Sequence, residues 1–367
     1  MCFTKVKKNF GFGVMRLPTT DGKVDRPTFQ AMVDHFMASG FNYFDTAHVY
    51  LNGESERVLR DCLTSRYPRE QYVLTNKLSG STFQKNEDIR PVFQSQLEAC
   101  GVEYFDFYLM HSQDVENFAK YKACRAYETA LELKAEGKIK ALGISFHDKS
   151  TVLEQILTEY PQVEVVQLQF NYADYEDPAV ESRKCYEVCR KYSKPVIVME
   201  PVKGGSLAQL PEDAKQVLDA LQGGSPASYA IRFAAGFEGI RMVLSGMSDL
   251  EMVKENCGFM KDFRPLDQRE RDALDQVLKI MQDKQLIPCT SCRYCMEVCP
   301  KGVCIPEVFA CVNARKKWNS WNSKFYFGNI HVGPDACVQC GKCEAICPQH
   351  LPIRQLLQDA KKEFEKK

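Results

Sequence analysis

Apolar residues along the first 285 positions follow two alternating periods, which predict a repeated strand–helix architecture. Short runs rich in β-branched and aromatic residues precede longer stretches in which apolar residues recur at helical spacing, as is typical of parallel βα units. Strands are predicted at residues 10–15, 42–45, 72–76, 105–110, 139–145, 163–170, 196–200 and 241–245. Eight such units in about 250 residues predict an α/β fold of the (β/α)8 TIM barrel type.

The predicted helices fill the intervals between these strands. The first begins at Pro27 and ends at Gly40, since proline suits the first turn of a helix and glycine its end. Phe29, Val33 and Phe36 give this helix one apolar face. Further helices are predicted at residues 88–99, 121–136, 178–192, 250–259 and 266–282.

The pattern changes near residue 285, where strand-like runs stop and cysteines become frequent. We therefore predict two domains: a barrel over residues 1–285 and a small, mostly helical domain over residues 286–367. In the second domain, Ile353, Leu357 and Phe364 lie at helical spacing and predict a closing amphipathic helix.

Eight cysteines in the second domain form two identical runs, C-x2-C-x2-C-x3-C-P, beginning at Cys289 and Cys337. Zinc sites usually present two separated ligand pairs, and disulfide frameworks belong to small secreted domains. The repeated spacing instead favours two [4Fe–4S] clusters in a dicluster ferredoxin-like domain, where the fourth cysteine of each run ligates the other cluster. Cluster 1 would take Cys289, Cys292, Cys295 and Cys347, and cluster 2 would take Cys337, Cys340, Cys343 and Cys299.

The amino-acid composition limits the classes of partner and the cellular compartment that we expect. The 48 Lys and Arg balance 48 Asp and Glu and are scattered, so we expect neither nucleic acid nor an anionic membrane as a partner. Seventeen cysteines and an N-terminus without an apolar signal core predict a reducing, cytoplasmic location.

Ionisable residues occur at or just beyond the ends of three successive predicted strands. Asp45 ends one strand with Tyr50 five residues later, and the next two strands lead to Lys77 and His111. An aspartate at a strand end often caps a turn, and a lone histidine often belongs to the core. The carboxyl ends of all barrel strands meet at one mouth, however, so the four residues together predict a catalytic site.

The sequence resembles the aldo-keto reductase superfamily in four motifs. They are Gly11-Phe-Gly-Val-Met-Arg-Leu-Pro18, Asn42-Tyr-Phe-Asp-Thr-Ala-His-Val-Tyr50, Leu74-Thr-Asn-Lys77 and Asp106-Phe-Tyr-Leu-Met-His111. Within that superfamily, the whole chain resembles the subgroup with a C-terminal ferredoxin-like domain carrying two [4Fe–4S] motifs. The resemblance implies that Asp45, Tyr50, Lys77 and His111 form the catalytic tetrad of a carbonyl reductase.

A tetrad of these residue types suits carbonyl reduction, because hydride transfer to a carbonyl leaves negative charge on oxygen that must be protonated. Tyr50 would act as the general acid, and the Lys77 ammonium would lower its pKa. Asp45 would hold Lys77 by an ion pair. His111 would donate a hydrogen bond that orients the substrate oxygen.

The resemblance also implies nicotinamide contacts, and here the sequence departs from the family. Ser145 and Gln167 match residues that bind the carboxamide, but Phe146 replaces the usual asparagine. Met199 occupies the position of an aromatic ring that stacks on the nicotinamide, and a thioether can cover such a ring more loosely.

At the adenosine end, Glu255 and Asn256 match residues that contact adenine. Gly246 and Met252 replace the basic residues that bind a 2′-phosphate, so the choice between NADH and NADPH stays open. Lys203, in a Lys-Gly-Gly turn, is a candidate contact for the pyrophosphate, although a simple turn explains it equally well.

Three interpretations of the combined domains follow. In the first, the barrel is an NAD(P)H-dependent oxidoreductase acting on a small carbonyl or alcohol, and the clusters have a structural, sensing or accessory role. In the second, a ferredoxin-like redox partner sends electrons through the clusters to the barrel site, with or without a flavin. In the third, the protein is a non-enzymatic electron carrier, an interpretation that leaves the intact tetrad without an explanation.

Overall fold

A computed structural model describes residues 2–177, 180–284, 286–318 and 321–365. The chain forms two compact units. The first contains residues 1–176, 181–201 and 231–265, and the second contains residues 177–180, 202–230 and 266–367. The segment after residue 201 and the helix after residue 265 therefore belong with the cysteine-rich region. The predicted boundary near residue 285 stays a prediction.

In the first unit, eight strands of the described chain close into a parallel barrel, which confirms the predicted fold. The strands of the chain are β1 Phe10–Gly13, β2 Thr19–Thr20, β3 Lys23–Val24, β4 Tyr43–Asp45, β5 Val73–Leu78, β6 Phe105–Gln113, β7 Ile139–Phe146, β8 Val165–Gln169, β9 Val196–Met199 and β10 Ile240–Gly246. The barrel order is β1, β10, β9, β8, β7, β6, β5 and β4, and β1 also pairs with β4. A small antiparallel hairpin, β2–β3, lies outside the barrel and was not predicted.

Inward-facing apolar side chains fill the barrel, as they must because a closed barrel of eight strands has no room for a pore. One buried cluster joins Tyr43, Phe107 and Met242 from three strands with Phe3 from the N-terminal segment. The rings of Phe3 and Phe107 lie 4.9 Å apart between centroids. The packed interior fixes the strand register, and the register in turn places the polar residues at the strand ends.

The helices alternate with the barrel strands and continue into the second unit. They are α1 Arg26–Ala38, α2 Glu54–Leu59, α3 Asn86–Cys100, α4 Val115–Ala123, α5 Ala126–Ala135, α6 Ser150–Glu159, α7 Ser182–Lys191, α8 Glu212–Asp219, α9 Pro226–Ala235, α10 Leu250–Lys261, α11 Gln268–Asp283, α12 Tyr294–Glu297, α13 Ile305–Trp318, α14 Trp321–Gly328, α15 Lys342–Ala345 and α16 Ile353–Glu365. No helix in the described ranges is long and apolar enough to cross a bilayer.

The observed helices differ from the prediction in three places. The predicted helix over 121–136 is interrupted at Arg125, whose φ of 53° is left-handed, so α4 and α5 are separate. The helix predicted from Pro178 begins at Ser182, and residues 178 and 179 lie outside the described part. Helices α2, α6, α8 and α9 were not predicted, nor were the individual helices α12 to α15 of the second unit.

The second unit is built around a core of its own. Val308, Phe309 and Leu357 are fully or nearly fully buried there, and Ile353 and Phe364 extend the same apolar face of α16. This confirms the predicted amphipathic helix. Phe327 stacks on Phe364 at 4.0 Å between ring centroids, which joins α14 to α16.

Candidate active site and cysteine cages

The carboxyl ends of β4, β5 and β6 bring the four predicted catalytic residues together. Lys77 Nζ lies 2.5 Å from Asp45 Oδ1 and 3.3 Å from Tyr50 Oη. The Tyr50 and His111 rings meet edge to face, with their centroids 5.8 Å apart at an interplanar angle of 79°. The predicted convergence at one mouth is thus present in the geometry.

Lys77 is completely buried and its ammonium has a full set of partners. Besides Asp45 and Tyr50, it donates a hydrogen bond to the carbonyl oxygen of Thr46 at 2.8 Å. Burial raises the pKa of the Asp45 carboxyl and lowers that of the Lys77 ammonium, and the contact between them opposes both shifts. The ion pair therefore holds Lys77 in place in a site that favours neither charge alone.

Tyr50 is presented by a short turn in which Leu51 and Asn52 have left-handed φ values of 51° and 54°. Burial raises the pKa of the Tyr50 phenol well above its ordinary value, and the negative charges of Asp45 and Glu200 add to the effect. We expected Lys77 to lower this pKa, but in the protein alone burial, together with the charges of Asp45 and Glu200, outweighs any such lowering. Tyr50 is accordingly a protonated acid at neutral pH.

His111 is held by a residue that was not predicted. Its Nδ1 lies 2.7 Å from Ser79 Oγ, just beyond the end of β5. Burial, together with the positive charges of Lys77 and His147, lowers the pKa of His111 well below its ordinary value. A neutral imidazole whose Nδ1 accepts the Ser79 proton carries its hydrogen on Nε2.

Two predicted nicotinamide residues, Ser145 and Gln167, are direct neighbours on β7 and β8. Ser145 Oγ accepts a hydrogen bond from the backbone N–H of Ser112 at 2.9 Å, and Gln167 Nε2 donates to Asp45 Oδ2 at 3.0 Å. These bonds engage the Ser145 hydroxyl oxygen and the Gln167 amide nitrogen. Met199 ends β9 and is half-buried.

The residues predicted at the adenosine end lie on α10. Asn256 is buried and donates to Ser245 Oγ at 3.4 Å, whereas Glu255 is exposed. Gly246 and Met252 are also exposed. This end of the site therefore combines one fixed amide with a solvent-facing carboxylate.

Sequence reasoning missed Arg16 and Glu200. Arg16 Nη2 lies 3.8 Å from Glu200 Oε1, and the Arg16 side chain passes beside Gly246. Glu200 has a left-handed φ of 57°, which is strained for a side chain of this type. Glu200 also ends one of the predicted strands, so the strand-end argument that found Asp45 could have found it.

In the second unit, the eight cysteines of the two runs line two cavities. The cavity that we call cage 1 is lined by Cys289, Cys292, Cys295 and Cys347. The cavity that we call cage 2 is lined by Cys299, Cys337, Cys340 and Cys343. Each cage thus combines three cysteines of one run with the fourth cysteine of the other.

The cages have the chemistry that a cluster needs. Backbone N–H groups approach two sulfurs, with Ser291 N 3.5 Å from Cys289 Sγ and Val303 N 3.4 Å from Cys299 Sγ. Such hydrogen bonds are among the groups that tune iron–sulfur clusters.

The barrel and its four-residue site define an aldo/keto reductase. The sequence model of the aldo/keto reductase family matches residues 9–279, and that of a 4Fe-4S dicluster domain matches residues 288–351. The chain belongs to the aldo/keto reductase family, it is an oxidoreductase, and it carries a C-terminal dicluster domain. The family resemblance seen in the sequence is confirmed.

Individual relatives share the barrel region. The chain is 30% identical over 210 residues to the NADH-specific methylglyoxal reductase of Escherichia coli (strain K12), covering 52% of this chain and 61% of that enzyme. It is 25% identical over 253 residues to an aldo-keto reductase of Mycolicibacterium paratuberculosis (strain ATCC BAA-968 / K-10), covering 68% and 79%. The aldo-keto reductase from Klebsiella pneumoniae in complex with NADPH superposes with a TM-score of 0.60 at 20% identity, covering 74% of this chain and 90% of that one.

Proposed function

We propose that the barrel reduces a small aldehyde or ketone to an alcohol with NADH or NADPH. The observation that carries this proposal is the position of Lys77 Nζ between Asp45 Oδ1 and Tyr50 Oη, at 2.5 and 3.3 Å. The reverse reaction, oxidation of an alcohol, would use the same groups.

Each residue has a distinct task in this reaction. The bound nicotinamide would supply hydride to the carbonyl carbon. Tyr50 would give its phenolic proton to the carbonyl oxygen, and the Lys77 ammonium would stabilise the phenolate that remains. Neutral His111 would donate from Nε2 to the same oxygen and so fix the direction of the carbonyl. Asp45 would keep Lys77 charged and in place.

The nicotinamide carboxamide would lie at the carboxyl ends of β7 and β8. We propose that Ser145 donates its hydroxyl proton to the amide oxygen and that Gln167 accepts an amide hydrogen, since their other polar atoms are already engaged. Met199 would cover one face of the ring. Glu255 and Asn256 would contact the adenine.

The coenzyme preference follows from the same end of the site. Gly246 and Met252 offer no charge to a 2′-phosphate, and the Escherichia coli relative is an NADH-specific enzyme. Arg16, beside Gly246, is paired with Glu200. We therefore propose that NADH is preferred over NADPH.

For the second unit, we propose one [4Fe–4S] cluster in each cage, ligated by the four cysteines that line it. The exchange of fourth cysteines makes the two runs fold as one unit. Nothing in the barrel residues described above requires the clusters for hydride transfer, so we propose a structural, sensing or accessory electron-transfer role.

A second candidate function is electron delivery from a ferredoxin-like donor through the clusters to the barrel. The electrons would reach the barrel site either directly or by way of a flavin. The departures at Phe146 and Met199 favour it, because both weaken the nicotinamide site that the family usually presents. The two candidates differ in the electron donor and can be separated directly.

The test uses the full chain, purified without oxygen, with methylglyoxal as the substrate. We expect turnover with NADH and an about 10²- to 10⁴-fold lower kcat/KM in Tyr50→Phe. Tyr104→Phe is the matched control, because the Tyr104 hydroxyl also contacts a lysine, Lys5, at 2.9 Å. Full activity in Tyr50→Phe would exclude the tetrad mechanism. Turnover with a reduced viologen but not with NADH would support the second candidate.

A further inference from the structure

The turn that follows β9, Lys203–Gly205, packs within the second unit instead of remaining a simple barrel loop. Lys203 is only 4% exposed. Its ammonium donates a hydrogen bond to Gln349 Oε1 at 2.8 Å. A lysine is seldom buried this completely, and this one is joined by a hydrogen bond to a residue that follows a cysteine of the second run.

Gly204 brings the same turn against the backbone of Thr290. Its φ is 64°, and an added Cβ would lie 2.5 Å from the carbonyl oxygen of Thr290 and 2.6 Å from its Cα. Only glycine permits this backbone-to-backbone approach. The turn is therefore fixed against the residue that follows Cys289.

Thr290 and Gln349 both line cage 1. Each follows a cage cysteine closely: Thr290 is next to Cys289, and Gln349 is two residues after Cys347. The turn thus holds both chain segments, one from each cysteine run, that supply cage 1.

The internal repeat provides a comparison. Pro300 and Pro348 follow the fourth cysteines of the two runs, and the next residues are Lys301 and Gln349. Lys301 lines cage 2 and is exposed, so solvent screens its charge. At cage 1 the equivalent position is the neutral Gln349. The lysine beside this cage is the buried Lys203, which comes from a distant part of the chain.

We propose that the buried charge of Lys203 sets the reduction potential of cluster 1. The inference rests on the proposed ligation of cluster 1 by the cysteines of cage 1. One-electron reduction adds a negative charge to a cluster that four thiolates already make negative. A buried ammonium held by Gln349 stabilises that added charge more than an exposed one can, and so raises the potential.

The test is a redox titration of the full chain without oxygen, with dithionite as the one-electron reductant and electron paramagnetic resonance as the readout. In Lys203→Met we expect cluster 1 to titrate at a more negative potential, with an about tenfold lower ratio of reduced to oxidised cluster at a fixed potential, equivalent to 59 mV. Lys203→Arg should titrate close to the wild type. Lys301→Met is the matched control and should leave cluster 1 unchanged.

Unchanged titration of cluster 1 in Lys203→Met, with both clusters intact, overturns the proposal. If Lys203→Met does not assemble cluster 1, Lys203→Gln removes the charge but keeps a hydrogen-bond donor for Gln349, and the same two outcomes apply. Iron and sulfide analysis of the wild type tests the proposed ligation of cluster 1 independently of the role of Lys203. A wild type with no cluster in cage 1 would contradict the proposed ligation, whatever the role of Lys203.

Discussion

The four polar side chains of the barrel site come from separate strands and the turn after one of them, whereas three of the four cysteines in each cage come from one short stretch of chain. At the barrel mouth, the ammonium of Lys77 finds three oxygen partners in the protein. In the cages, burial raises the pKa of Cys289 to about 11 and of Cys295 to about 12, so protons must leave for iron to bind.

This difference indicates two ways of organising a site. The barrel supplies complementary charges and hydrogen bonds, and its geometry is held by strand register. The cages gather groups of one kind, four thiols each, that cannot satisfy one another. We infer that the barrel site is preorganised by the protein and that the second unit depends on its iron.

The largest expected effect is therefore the loss of a cluster. In Cys347→Ser, we expect cluster 1 to be lost or spectroscopically altered while cluster 2 is kept, and in Cys299→Ser the reverse, because the fourth ligands are exchanged. Iron content and electron paramagnetic resonance measure both. Cys311→Ser is the matched control, since Cys311 is buried in the same core but lines neither cage.

Cluster loss should also destabilise the second unit without affecting the barrel. Chelation of iron should increase hydrogen exchange in α13 and α16 and leave the exchange of β5 and β6 unchanged. A Cys347→Ser protein that loses only cluster 2 would contradict the exchanged ligation. Exchange that rises equally in the barrel would contradict the contrast between the two units.

In the barrel, the next effect comes from breaking the buried ion pair. Asp45→Asn leaves the Lys77 ammonium buried without its carboxylate, which we expect to lower the free energy of unfolding by about 3–5 kcal/mol. Asp34→Asn is the control, because Asp34 pairs with Arg66 at 2.8 Å near the surface, where such a pair contributes about 0–1 kcal/mol. Denaturant unfolding measures both variants, and equal losses would argue against a preorganised site.

The two regions also differed in how far the sequence could predict them. The cages followed from the spacing of the two runs, because three ligands of each cluster are local in the chain and the exchange of the fourth is typical of a repeated run of this kind. The positions of Asp45, Lys77 and His111 followed from strand ends. Ser79 and Arg16 could not be found in this way, since their roles depend on side-chain directions that only the closed barrel fixes.

Contacts between residues far apart in the chain could not be predicted from the sequence. Lys203 was predicted as a pyrophosphate contact from its glycine neighbours, and no pattern indicated its hydrogen bond to Gln349, 146 positions away. The break at Arg125 was missed because the apolar periodicity continues across it. The raised pKa of Tyr50 was missed for a related reason, since burial and the charge of Glu200 depend on the assembled site.

A smaller effect tests the core of the second unit. Leu357→Ala removes a fully buried side chain from α16, and we expect a loss of about 2–5 kcal/mol from the stability of that unit. Leu356→Ala, on the same helix but only partly buried, should cost less. Hydrogen exchange in α16, followed with the clusters in place, measures the difference. Equal losses would show that iron, and not the apolar core, determines the stability of this helix.

The smallest expected effect is a change in pH dependence at the barrel. The negative charge of Glu200 helps to raise the pKa of Tyr50. Since Tyr50 must be protonated to act as the acid, reduction is lost as the pH rises through that pKa. Glu200→Gln removes the charge, so the loss should begin at a lower pH, with less than about a tenfold change in kcat/KM at neutral pH.

Glu200→Asp is the control, because it keeps the charge that acts on Tyr50. The profile of kcat/KM against pH for carbonyl reduction is the measurement. A high-pH limb that stays in place in Glu200→Gln would exclude an electrostatic role for Glu200. A limb that moves equally in both variants would point to the strained backbone at residue 200 instead, because both substitutions must adopt its φ of 57°. The barrel site would then depend on local backbone geometry as much as on its arrangement of charges.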